Sequence, residues 1–132
     1  MMIAIPVWSG RVSPVFDVAR TILVVDLDPD NGTSQTGGTH VIDPMRPAGT
    51  LSDLGVEVLI CSAISSPLES VLWAQGVEVV SDICGSPDEI IAALAAGDTD
   101  LDRFRSPGSR RKLKRSTARL IAREEGGSGT PA

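Results

Sequence analysis

The chain has 132 residues, 42% of them hydrophobic and 3% aromatic, with a formal net charge of −5. That length supports one compact domain with a short appendage, and a domain of about 100 residues buries enough surface to fold without a disulfide or metal staple. No apolar run reaches the roughly 18 residues that cross a bilayer, and the opening has neither a basic segment nor a cleavage motif, so no membrane association and a cytoplasmic location are expected. In that reducing compartment the two cysteines, Cys61 and Cys84, are expected as thiols or metal ligands and not as a disulfide.

Charge is unevenly divided. Residues 1–102 hold 3 basic and 15 acidic residues, whereas residues 103–132 hold 9 basic and 2 acidic. The expected organisation is an acidic body over residues 1–105 and a basic tail over residues 106–132. The tail's run Arg110-Arg111-Lys112-Leu113-Lys114-Arg115 suits a protein partner or nucleic acid, the acidic body itself, or solvent.

In chain order, Ile3 to Val7 is a short β-branched run that predicts a buried strand, bounded by Trp8-Ser9-Gly10. After a loop containing Pro14, Thr21 to Leu27 predicts a second strand, closed by the turn residues Asp28-Pro29-Asp30-Asn31-Gly32. The Asn31-Gly32 pair predicts a hairpin, so Gly38 to Ile42 returns antiparallel as a third strand and ends at Asp43-Pro44. Two αβ units follow. Val56 to Cys61 is the fourth strand, and Ser65-Ser66-Pro67-Leu68-Glu69 opens a helix with a serine cap, a proline in the first turn and Gly76 as its stop. Leu68, Val71, Leu72 and Gln75 form its expected inward face. Val77 to Val80 is the fifth strand. Ser86-Pro87-Asp88-Glu89 begins a second helix with an apolar stripe of Ile90, Ile91, Leu94 and Ala95, ending at Gly97. A meander followed by two right-handed crossovers predicts a three-layer α/β fold, with a five-stranded mixed sheet in the order 3-2-1-4-5.

In open α/β sheets ligands bind beyond the carboxyl ends of the parallel strands. Here that edge collects the loop Gly10 to Asp17, the end of the fourth strand at Cys61-Ser62-Ala63, and Cys84-Gly85 after the fifth. Both thiols are therefore expected at one rim. The helix starts at Ser65 and Ser86 aim backbone N–H groups at the same edge and favour an anion, and Arg11 and Ser13 add donors. Catalytic constellations are poor. The lone histidine, His40, falls in the third strand, and neither GxxxxGK[ST] nor GxGxxG occurs. Asp17, Asp26 and Asp82 would have to cluster to serve a metal-dependent nuclease.

Ile3-Ala4-Ile5-Pro6-Val7 followed by Gly10-Arg11-Val12-Ser13-Pro14-Val15-Phe16-Asp17-Val18-Ala19 resembles the opening of the dinitrogenase iron-molybdenum cofactor biosynthesis family, the NifX-like domain. Cys61-Ser62-Ala63-Ile64, Gly76-Val77-Glu78-Val79 and Cys84-Gly85 are similar to its second half, so the likeness spans about residues 2–108. The resemblance implies a ribonuclease-H-like core and a non-enzymatic carrier or sensor of an iron-sulfur cluster or iron-molybdenum cofactor precursor. On that reading Cys61 and Cys84 are metal ligands, and Arg11, Ser13, Ser65 and Ser86 bind the anionic ligand. The chain departs from cofactor carriers at Val15, where they commonly have histidine, and at Ser109, where relatives of this type carry cysteine. Two thiolates fall short of the four that usually hold a cluster, so a homo-oligomer sharing ligands or an exogenous thiol would complete the set.

Overall fold

The computed structural model describes residues 1–28, 33–97 and 101–106. The Asn31-Gly32 turn, Ser109 and the basic run Arg110 to Arg115 lie outside the described residues. The strands are β1 (Met2–Trp8), β2 (Arg11–Val12), β3 (Thr21–Asp28), β4 (Thr33–Val41), β5 (Val58–Ile60) and β6 (Glu78–Val80). The helices are α1 (Pro47–Asp53), α2 (Ser66–Ala74) and α3 (Pro87–Ala95).

The main path of the sheet runs β4-β3-β1-β5-β6, with β2 paired to β1. β1 is antiparallel to β3 and parallel to β5, and β5 is parallel to β6. The path of the five expected strands holds. The difference is a sixth strand of two residues: Ser9 and Gly10 both take positive φ, so the chain reverses at once and Arg11–Val12 pairs back onto Trp8 and Val7. That is the geometry of a two-residue primed turn, which matches the natural twist of a hairpin. β4 also begins at Thr33 instead of Gly38. Its ladder with β3 extends from Thr21↔Val41 to Asp28↔Thr33 and absorbs a register shift at Val24/Val25.

Side-chain alternation divides the core into two layers, as a period of two requires. Ile3 and Ile5 of β1 and Val58 and Ile60 of β5 face Ile90, Ala93 and Leu94 of α3, together with Leu101 and Phe104. Ala4, Ile22, Val24 and Leu59 point the other way, toward Ala48 and Leu51 of α1 and Leu72 of α2. α1 is absent from the expected elements because Gly49, Thr50 and Ser52 are weak helix formers. It holds on through Ala48 and Leu51, its two buried side chains. α2 is shallower than its apolar pattern predicts: Leu72 is buried and Leu68 partly so, but Val71 and Gln75 are exposed. α3 keeps the expected stripe with Ala93 added.

Candidate ligand rim

Pro6 decides where the sheet opens. Proline has no N–H to give a ladder, and the pairing of β1 with β5 stops two residues earlier, at Ala4↔Leu59. The gap beyond is filled by the loop after β2. Ser13 N–H donates to the Pro6 carbonyl at 2.8 Å, Ala63 N–H to Pro14 at 3.0 Å, and Phe16 N–H to Ala63 at 2.8 Å. Phe16 is fully buried beneath this stitching and anchors it.

The same edge is joined to the loop after β6. Val12 N–H donates to Gly85 at 2.9 Å, Asp82 N–H to Ser62 at 2.9 Å, and Ile83 N–H to Cys61 at 3.0 Å. A further strap comes from the chain beyond α3, where Cys84 N–H donates to Phe104 at 2.7 Å and Ile83 bridges Arg105. Gly85 has φ +117, a conformation open to glycine and strained for other residues. Three loops from the carboxyl ends of β1, β5 and β6 thus form one hydrogen-bonded rim.

The rim does not assemble every expected side chain. Cys61 is 0% exposed and packs with Leu59, Leu72 and Phe16 in the layer facing α1 and α2. Cys84 is half-buried and borders an open groove on the α3 side, lined also by Gly85, Glu89, Ala92, Arg103 and Phe104. The expectation of two sulfurs at one mouth is therefore corrected. Cys61 follows Ile60 in the alternating strand and takes the opposite face from Ile60, whereas Cys84 lies in the loop after β6. Ser13 is buried, and its hydroxyl lies 3.5 Å from the Val15 carbonyl, within its own loop. Arg11 is exposed beside Trp8 on the β1–β2 hairpin.

Ser65 and Ser86 occupy the N-cap positions of α2 and α3 and are half-buried, but neither hydroxyl caps its helix. The anion-friendly ends are already furnished with carboxylates. Asp17 Oδ1 accepts the Ser65 N–H at 2.9 Å, and Asp88 and Glu89 stand in the first turn of α3. Carboxylates at these positions offset the positive end of the helix dipole, so the mouth is less electropositive than the sequence pattern predicts.

The carboxylates of the nuclease reading are separated. Asp26 pairs with Met2 at the far end of β1, while Asp17 and Asp82 lie at the rim. Among the described residues no group of three His, Cys, Asp or Glu side chains is placed to hold a metal ion. His40 sits in β4 opposite Ile22, on the edge strand away from β5 and β6. Sequence reasoning missed Arg103 and Phe104 as groove residues, because they follow a segment rich in aspartate that reads as the end of the body. It also missed a cleft of about 290 Å³ between Trp8, Pro14, Val15, Val18 and Arg20. The signal for that cleft was a tryptophan beside a turn.

These features define a three-layer α/β protein with a loop-built rim beyond its parallel strands, the position at which such folds bind ligands. The chain belongs to the dinitrogenase iron-molybdenum cofactor family, whose model matches residues 1–97. Its fold is similar to that of PH0822 at 21% identity and a TM-score of 0.62, covering 74% of this chain and 91% of that one. It is also similar to a protein of Methanocaldococcus jannaschii provisionally named a dinitrogenase, at 23% identity and a TM-score of 0.57, with 74% and 90% of the two chains covered. A Thermotoga protein provisionally named NifB is similar at 27% identity and a TM-score of 0.51, over 74% of this chain and 89% of that one. No curated protein matches the chain.

Proposed function

We propose that the protein is a non-enzymatic carrier that holds an iron-sulfur cluster or iron-molybdenum cofactor precursor, as cargo, at the groove beside Cys84. The observation that supports this reading is the half-buried thiol of Cys84 in an open groove at the stitched rim, in a chain belonging to this family. A soft thiolate suits iron-sulfur cargo. Ser86, which follows Gly85 directly, stands beside the groove, whereas Ser65 begins α2 on the opposite face of the sheet and is not part of it. Ser13 holds the loop in shape, and Arg11 stands beside Trp8 on the β1–β2 hairpin, away from the groove. Cys61 acts as a small buried apolar residue, a common fate of free cysteine.

One chain offers one accessible thiolate where a cluster takes four. The remaining ligands come from a second copy or an exogenous thiol. A ribonuclease-H-like core and a cytoplasmic location belong to the same reading. Among the described residues no helix is long and apolar enough to cross a membrane.

Anaerobic reconstitution with iron and sulfide, read by visible absorption, tests the proposal. The wild type and Cys61→Ala, which keeps the core apolar, develop the same chromophore, and Cys84→Ser does not. A colourless wild type, or a chromophore that survives in Cys84→Ser, ends the reading.

A further inference from the structure

Two arginines of the acidic body, Arg11 and Arg20, stand at the Trp8 side of the rim, away from Arg103 and Arg105 at the Cys84 groove. Residues 1–102 contain only Arg11, Arg20 and Arg46. Arg11 pairs in register with Trp8 across the β1–β2 hairpin, which places the two side chains on one face. Arg20 lines the cleft that holds Trp8, Val15 and Val18, and also the adjoining cleft that holds Val18, Val41 and Pro44. Arg46 follows Met45, next along the chain from Pro44.

Around these cations lies a run of exposed apolar side chains: Trp8 is 66% exposed, Val18 75%, Val41 77% and Met45 87%. Thr21 pairs with both Val7 and Val41, so the ends of β1, β3 and β4 that carry this patch form one continuous edge. Exposed apolar side chains gathered at one rim and flanked by charge mark an interaction site.

The local charges are distributed with a bias. Asp17 accepts the Ser65 N–H and Asp43 the Met45 N–H at 2.9 Å, so each neighbouring carboxylate is held by a backbone amide and neither pairs with Arg11 or Arg20. Arg46 pairs with Asp53 at 3.3 Å. Arg11 and Arg20 make no ion pair among the described residues. Two uncommitted guanidiniums therefore flank a tryptophan and an apolar cleft on a body that is otherwise strongly acidic. Exposed tryptophan and arginine are the residue types that dominate binding energy at protein interfaces, and guanidiniums select carboxylates through bidentate hydrogen bonds.

We infer that this face docks an acidic protein segment in which carboxylates alternate with apolar side chains: the apolar groups enter the Trp8–Val18 cleft and the carboxylates pair with Arg11 and Arg20. The basic tail of this chain is the wrong occupant, because it would place like charges against these arginines. This inference is independent of the cargo proposed for the Cys84 groove.

A display library of random 12-residue peptides, selected on the full-length protein, tests it. Peptides enriched on the wild type carry Asp or Glu beside Leu, Val or Phe. Their synthetic versions, followed by fluorescence anisotropy, lose at least tenfold in affinity against Arg11→Glu/Arg20→Glu and against Trp8→Ser. These positions are exposed, so the variants keep the wild-type circular dichroism and melting behaviour. Enrichment of neutral or basic peptides, or equal binding to the variants, overturns the proposal. So does binding to anionic phosphatidylglycerol vesicles or Trp8-dependent self-association in sedimentation if no acidic peptide is enriched.

Discussion

The groove beside Cys84 and the cleft beside Trp8 lie on one edge of the same sheet, and each has a single aromatic side chain at its wall. Phe104 is 7% exposed and belongs to the core layer under α3, with the Arg103 guanidinium 4.9 Å above its ring. Trp8 is on a two-residue hairpin and stands mostly in solvent. The shape of the groove is therefore tied to global stability, because deforming it means unpacking Phe104. The cleft hangs on short loops and can be altered without touching the core. The two openings, one walled by the core and one by loops, share a frame of backbone hydrogen bonds.

Truncating each aromatic breaks the comparison most directly. Phe104→Ala should cost about 3–5 kcal/mol, the usual penalty for emptying a buried aromatic site. Trp8→Ala should change stability by less than about 0.5 kcal/mol, as surface substitutions do. Urea denaturation measures both, and similar losses would show that the two walls are equally part of the core.

The two thiols give the next contrast. Cys61→Ser places a hydroxyl among Leu59, Leu72 and Phe16 and should destabilise by about 1–3 kcal/mol. Cys84→Ser should stay within about 0.5 kcal/mol of wild type. Alkylation in native buffer should label Cys84 and spare Cys61, which mass spectrometry of the digested protein reads directly.

A smaller effect concerns the loop between the two openings. Asp17→Ala removes the acceptor for the Ser65 N–H at the start of α2 and should cost about 1 kcal/mol, as lost acceptors at helix ends do. Amide exchange should quicken at Ser65 more than at Ser86. The least effect belongs to the hairpin. Ser9 has φ 52, a left-handed conformation that asparagine tolerates better. Ser9→Asn should add about 0.5 kcal/mol in thermal unfolding without altering the groove.

Strands were legible because their chemistry is local. The β-branched runs at Ile3 to Val7 and Thr21 to Leu27 announce buried strands, and the Ser-Pro starts of α2 and α3 announce helices. α1 was hidden because Gly49 and Ser52 carry little helical signal, and its two buried side chains matter only once the sheet is present. β2 was hidden for another reason: two residues are too few to show a period. The rim itself was legible, since carboxyl ends of parallel strands follow from strand order. The separation of Cys61 from Cys84 was not, because the thiol of Cys61 follows the alternation of β5 while Cys84 lies in an irregular loop whose side-chain direction has no period. The Trp8 cleft had only one trace, a tryptophan beside a turn, and that does not say whether the ring is covered, because exposure depends on what the rest of the chain leaves open.

One strap has a consequence for the groove beside it. Ser106 N–H donates to the Asp82 carbonyl at 2.6 Å, and Arg105 bridges Ile83, so the chain leaves the body beside the Cys84 loop. The Cys84 loop is thereby pinned from outside the sheet as well as from within it, so any widening of the groove on that side must first release residues 104–106.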